Sequence, residues 1–172
     1  MEKTDNRQID RQSSEHSLTK ILPATQELVN AMKGRIRKSD QEEVWAASHM
    51  DIDEALDLSF KSSETAVVKF FKGVPVAISG VTRPFLLSNN GIIWMLATEE
   101  FENKIVQISA GRKCRVFVRE MLKSFTLLYN FVDVRNTVTV KWLEWIGSEF
   151  DQPKPYGPDN MLFRKFYIRR SQ

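Results

Sequence analysis

Few side chains in this sequence are of the kinds that do chemistry, and most of them stand alone. His49 is followed by Asp51, Asp53 and Glu54. That mix can ligate a metal only if three or four donors converge. The other histidine, His16, lies among polar residues far from it, so no metal site is expected. Cys114 is the single cysteine and falls on an apolar stripe with no histidine nearby. A buried structural thiol fits better there than a nucleophile, because burial raises a thiol's pKa. Glu99 and Glu100 stand together after an apolar run. A carboxylate in such a place can take a proton from an amine, and the same pair also makes an ordinary exposed turn. Arg112, Lys113 and Arg115 form a basic cluster. It suits a phosphate held by direct charge, or a solvated helix face. No G-x-S-x-G motif, Walker loop or zinc-finger spacing is present.

Composition sets the frame. At 172 residues, 42% of them apolar and with 11 Phe and 4 Trp, the chain can build one domain with a real core. A net charge of +3 is too small to imply a nucleic-acid partner. One cysteine excludes an intrachain disulfide and fits a reducing compartment. The first 25 residues hold no apolar run, so no signal peptide is expected, and no stretch approaches the roughly 20 apolar residues that cross a bilayer. Residues 1–17 carry balanced charges and only Met1 and Ile9 as apolar residues. They read as a flexible polar tail ahead of a domain spanning residues 18–172.

The elements follow from periodicity. Leu18 to Leu22 reads as a strand closed by Pro23, and Thr25 as the N-cap of a helix through Leu28, Val29, Met32 and Ile36. Ser39 or Asp40 is expected to cap a second helix, and Asp51 and Asp53 to start a further turn bearing Ala55, Leu56, Leu58 and Phe60. Thr65–Phe71 and Val74–Val81, split by Lys72-Gly73, form a hairpin, and Ile92–Ala97 suits a central strand. Cys114, Val118, Met121, Phe125 and Leu128 share one face of a long helix. Leu128–Val134 makes another strand, and Asn136 or Thr137 caps a last helix stopped by Gly147, with Trp142 inward and Trp145 at its edge. After a Pro-rich loop, Met161–Ile168 forms the final strand. Its interleaved Arg164, Lys165, Phe166 and Tyr167 fit a strand with one buried and one basic face better than a surface for single-stranded nucleic acid. The sum is an α/β fold: a mixed sheet with helices on both faces.

Three stretches carry a family resemblance. KILPAT (Lys20 to Thr25), the hairpin VVKFFKGVPVAISGV (Val67 to Val81) and NTVTVKWLEWIGSEF (Asn136 to Phe150) resemble the opening strand, second and third strands, and late asparagine-plus-helix of GNAT acetyltransferases. The longer run Leu128 to Phe150 is similar to a GNAT-like family of short-tailed bacteriophages, described as internal virion or morphogenesis proteins. The resemblance implies a GNAT-like central sheet whose splayed strands could hold acetyl-CoA, and no metal. Leu96, Ala97 and Thr98 would bond the pantetheine arm. Gln107, Gly111, Arg112 and Lys113 would face the phosphates at the opening of the long helix, and Asn136 joins the cofactor-holding set. Glu99 and Glu100 are the candidate bases for transfer to an amine.

The same comparison shows departures. The family's phosphate loop reads Gln or Arg, two residues, Gly, one residue, then Gly or Ala. Here Ala110 and Arg112 stand at the two small positions, and Gly111 is one place off. Bulk there hinders close backbone approach to phosphate. The family's usual Tyr acid is matched by Leu143, which has no proton to give, and Tyr129 lies off the motif. The expectation is therefore a phage or prophage accessory protein with a degenerate acetyltransferase site, with virion or assembly proteins as partners, in the virion or the host cytoplasm. The alternative is an acyl-CoA-dependent N-acetyltransferase acting on an amine.

Overall fold

The computed structural model describes residues 19–170. The expected tail at 1–17, with His16, lies outside the described residues, as does Leu18. In chain order the elements are β1 (Thr19–Pro23), α1 (Gln26–Met32), α2 (Lys38–Ser48), α3 (Ile52–Ser62), β2 (Thr65–Phe71), β3 (Val74–Thr82) and β4 (Asn90–Ala97). A single 3₁₀ turn (Glu99–Glu102) follows, then α4 (Lys104–Ser124), β5 (Leu127–Asp133), α5 (Thr137–Ile146), β6 (Glu149–Phe150), β7 (Lys154–Tyr156) and β8 (Met161–Arg169).

The strands run β1-β2-β3-β4-β5-β8-β6 across one sheet, with β7 pairing β8 off the path. Every pairing is antiparallel except β4 with β5. The hairpin β2–β3 turns on Lys72 and Gly73, both at positive φ (50° and 80°), the twist-matched geometry of a two-residue connection. The sheet is covered on both faces, as the sequence implies. One core, with Val76, Val81, Phe101, Val106, Phe117 and Leu128, sits under α4 and α5. The other, with Val29, Met32, Leu56, Val68, Ile78 and Leu96, sits under α1 and α3.

The parallel pair β4–β5 stays together only briefly. Asn90, Gly91 and Ile92 pair with Leu127, Leu128 and Tyr129, and there the pairing stops. The strands then diverge, and the Asn130 side chain bridges the opening by donating to the Ile93 carbonyl at 2.8 Å. The edge of β4 from Ile93 to Ala97 thus turns toward a wedge instead of a neighbouring strand.

Several boundaries differ from the sequence reading. The first helix ends at Met32, and Ile36 instead forms an antiparallel bridge with Thr98. The second helix begins at Lys38, with Arg37 at a cap position that makes no side-chain cap bond, and Asp40 is inside the helix and buried. Leu128 belongs to β5 and not to the helical stripe, because Phe125 already has extended backbone (φ −122°, ψ 142°). In β8 the buried residues are Phe163, Phe166 and Ile168. Phe163 meets Tyr156 of β7, with ring centroids 5.2 Å apart, so two flanking strands break the simple alternation.

Helices α4 and α5 cross at a glycine. A Cβ on Gly111 would stand 2.0 Å from Trp145 Cζ3, so the glycine lets the indole lie on the helix, where Arg115 covers it 4.6 Å from the ring centroid. Gly111→Ala should therefore destabilise by about 1–3 kcal/mol, the usual cost of overpacking, in denaturant unfolding. In a Trp145→Ala background the same change should cost nothing and recover helix propensity. An equal cost in both backgrounds would show that the indole contact is not the reason for the glycine.

Candidate functional site

The wedge between β4 and β5 is filled from within the chain. The Ile36–Thr98 bridge lays the segment before α2 along the free edge of β4. The Arg37 amide donates to the Ala97 carbonyl at 2.8 Å. The Ala97 amide in turn donates to Asp40 Oδ2 at 2.9 Å. Both backbone groups that Ala97 turns away from β3 are thus engaged. Thr98 is bound back to β3, its amide donating to the Val76 carbonyl at 3.0 Å. Leu96 packs into the core under α1 and α3.

Asp40 is held by more than Ala97. Its Oδ1 accepts from Arg37 Nη2 at 2.7 Å and from Asn136 Nδ2 at 3.3 Å. Arg37, only 1% exposed, also donates to Thr139 Oγ1 at 2.6 Å and lies over the Phe101 ring. Asn136 caps α5, its side chain accepting from the Thr139 amide at 3.3 Å. The same Asn136 amide group donates to Glu43 Oε2 at 2.9 Å. The set Arg37, Asp40, Glu43, Asn136 and Thr139, the first two and Asn136 fully buried, therefore ties α2 to β4 and α5. Asn136 was expected to face a cofactor, and here its side chain is directed into this set.

Glu43 has an unusual setting. As a residue it is half-buried, but its carboxyl is enclosed beside Asp40 and Asp133. Burial pushes its pKa from 4.5 up to about 8. The hydrogen bond from Asn136 and the Asp133 amide oppose that rise, and the negative neighbours add to it. Glu43 also lines an internal cavity of about 60 Å³ that opens from the wedge, together with Cys114, Asn130, Thr139 and Leu143. Cys114 is buried, as its place on the stripe implies.

The residues expected at the phosphates are placed differently. The long helix begins at Lys104, its N-cap Asn103 accepting from the Ile105 amide at 2.9 Å. Gln107 to Lys113 therefore lie within the helix instead of in a loop opening it, because the 3₁₀ turn carries the chain straight from β4 into helix. Gln107 Nε2 donates to the Glu102 carbonyl at 3.3 Å, Gly111 packs on Trp145, and Lys113 Nζ donates to the Thr19 carbonyl. Arg112 is exposed on the outer side. The residues leading into the helix include Glu99, Glu100 and Glu102, and negative charge there disfavours an anion.

The two candidate bases do structural work. Glu99 Oε1 accepts from the Lys38 amide at 3.0 Å and so caps α2 from a distance. Glu100 is exposed. Hydrogen bonds from Thr98 and from its own backbone, with Arg35 3.4 Å away, hold its carboxyl below the usual value, which weakens it as a base. Leu143 is buried in the cavity wall. Tyr129 is in register with Tyr167 on the opposite sheet face, its ring against Lys165. His49 binds Asp159 at 2.8 Å and stacks on Trp45, and no group that could hold a metal occurs among the described residues. No helix among them is long and apolar enough to cross a membrane.

Sequence reasoning missed Arg37 and Glu43 and took Asp40 only for a helix cap. The available signal was the spacing of three between Asp40 and Glu43, which puts them on one helix face, with Arg37 at the cap three residues earlier.

The raised Glu43 pKa has a consequence for stability. The unfolded carboxyl releases its proton near 4.5 and the folded one near 8, so the folded state binds more protons between these values. This contribution is complete below pH 4.5 and is lost as pH rises through 8, with a slope of at most about 1.4 kcal/mol per pH unit. Urea unfolding from pH 5 to 8.5 should show stability falling, and Glu43→Gln should flatten the fall. Equal slopes in the two proteins would contradict the enclosed, protonated carboxyl.

No family model matches the chain. Among solved structures, a GNAT-family acetyltransferase from Streptococcus pneumoniae superposes with a TM-score of 0.63 at 10% identity, covering 89% of this chain and 99% of that one. The ribosomal-protein-S18-alanine N-acetyltransferase of Escherichia coli gives 0.61 at 10% identity, with 90% and 96% covered. The structure of yncA from Salmonella typhimurium with its cofactor acetyl-CoA gives 0.60 at 10% identity, with 90% and 95% covered. These likenesses show the fold. In sequence, the probable scaffold protein gp13 of Escherichia phage T7 is 30% identical over 129 residues, spanning 69% of this chain and 85% of that protein. With a GNAT fold and a relative this near along most of its length, the chain belongs to the family of the T7 probable scaffold protein gp13.

Proposed function

We propose that this chain is a phage or prophage assembly protein of the internal-virion type, which uses the GNAT scaffold structurally and has given up its cofactor. The observation that carries this reading is at Ala97. The strand-end amide and carbonyl that would bond a pantetheine arm are bonded to Asp40 and Arg37. A cofactor would have to displace both of these hydrogen bonds, the one to the Asp40 carboxylate worth about 1.5–3 kcal/mol. The helix that starts at Lys104 behind three glutamates, the packing role of Gly111 and the apolar Leu143 support the same reading. So does membership in a family with a probable scaffold protein. Its partners are then virion or assembly proteins, and its place is the virion or the host cytoplasm.

A second reading, an acyl-CoA-dependent N-acetyltransferase, draws on one observation. The β4–β5 wedge persists and leads to a cavity with a protonated carboxyl, Glu43, in its wall. In that reading Glu43 supplies the proton that Leu143 cannot.

Calorimetric titration with acetyl-CoA, with free coenzyme A beside it, separates the two. The assembly reading expects no saturable heat up to millimolar ligand, and co-purification of the chain with particles or assembly intermediates. Saturable micromolar binding would overturn it in favour of the enzyme.

A further inference from the structure

Taken alone, β8 is a strand with one buried and one basic face, and its neighbours change what the second face offers. Register puts Lys165 and Tyr167 of β8 beside Phe131 and Tyr129 of β5. The alternate residues, Leu128, Val132, Phe166 and Ile168, point into the core under α4 and α5, so these four side chains face the other way. On that side the core under α1 and α3 draws its strand residues from β2, β3 and β4, and its cover stops there. The outward side of a sheet is ordinarily polar. Here Tyr129, Phe131 and Tyr167 are half-buried, and Tyr156 of β7 is 38% exposed.

The rings converge on one cation. Lys165 Nζ lies 4.6 Å from the Tyr129 ring centroid, 5.2 Å from that of Tyr167 and 5.8 Å from that of Phe131. Among the described residues no acid pairs with this ammonium. Phe131 stacks on Tyr156, with centroids 4.4 Å apart and planes 16° from parallel. A groove of about 320 Å³ has Phe131, Lys154, Tyr156, Lys165 and Tyr167 in its wall. Asp151 is the acid in that wall, and the Tyr167 hydroxyl donates to its carboxylate. Farther along β8, Arg169 lies over the Tyr167 ring at 5.6 Å and meets Glu149 at 3.5 Å, an exposed pair that contributes little.

We propose that this face binds a single strand of nucleic acid, with a base stacked on the Tyr156–Phe131 pair and phosphates on Lys165, Lys154 and Arg169. Ring faces and cations together are what a single strand recognises. A duplex keeps the faces of its bases covered by their neighbours, so it cannot use the rings. Phe131 and Tyr156 already lie nearly parallel, and a base on Tyr156 extends an existing stack with little ordering cost. A cavity of about 150 Å³ takes benzene, so the groove has room for one base. Lys165 has only ring contacts to give up, and a phosphate returns a charge-assisted hydrogen bond. Three cations on this face stand against two acids, Asp151 and Glu149, so stacking rather than charge sets the preference for single strands. The site does not rest on the assembly reading.

The test titrates the whole chain into fluorescein-labelled oligothymidylate and oligouridylate of about ten nucleotides, and into a duplex of the same length, and reads anisotropy. At least one of the single strands should bind saturably, about tenfold or more tighter than the duplex. Tyr156→Ala should weaken that binding about tenfold, within the range for loss of one stacked base. Lys165→Ala should weaken it and flatten the log–log salt dependence by about 0.7, the share of one phosphate contact. In parallel, an iodouracil-substituted strand irradiated with the wild-type chain should crosslink to the peptides that carry Tyr156 or Tyr167, a readout that needs no variant to fold. Absence of saturable binding, as a face for a protein partner would give, would overturn the proposal. So would equal affinity for the duplex, or crosslinks confined to the basic stretch at residues 112–115.

Discussion

The Asp40 carboxylate is the point on which this structure turns. One oxygen accepts from Arg37 and Asn136, the other from the Ala97 amide. Three elements distant in sequence, α2, β4 and α5, are thereby fixed around one buried charge. An isolated carboxylate in such a place would be prohibitive to bury. It is tolerated because Arg37 neutralises it at 2.7 Å and backbone and amide donors satisfy its lone pairs. The wedge between β4 and β5 needs such a device. A strand edge without a partner leaves polar groups to satisfy, and here the Ile36–Asp40 segment satisfies those at Ala97.

In the proposed reading, the same device separates scaffold from activity. The sheet order, the brief parallel pairing and the long helix are those of a GNAT fold, and fold alone does not carry function. Acyl-CoA chemistry needs an open strand edge, helix amides free of bulk and negative charge, and groups that move a proton. In this chain the edge at Ala97 is bonded to its own α2 segment, the helix start follows three glutamates, and Glu99 caps a helix. The carboxyl with a raised pKa, Glu43, lies in the interior instead.

The sequence disclosed the fold better than the site, for physical reasons. The hairpin, the apolar run at Ile92–Ala97 and the stripe through Cys114 and Val118 are set by local periodicity, which is visible in one dimension. Asn136 as a cap and Gly147 as a stop are local as well, and the structure has both. The start of α4 was misplaced because Gly111 resembles a loop glycine until the contact with Trp145 is known. Arg37 and Glu43 drew no reading and Asp40 was expected only as a helix cap, because burial of a charge depends on partners far away in sequence, here Ala97, Asn136 and Thr139.

The most direct measurement is hydrogen exchange at the single amide of Ala97, with and without millimolar acetyl-CoA. If Asp40 holds that amide as an internal lock on the β4 edge, Ala97 exchanges only with global unfolding, as core amides do, and acetyl-CoA leaves its rate unchanged. Fast exchange in the free protein that slows when acetyl-CoA is added would mean that the edge is open and serves a cofactor, and would contradict the account.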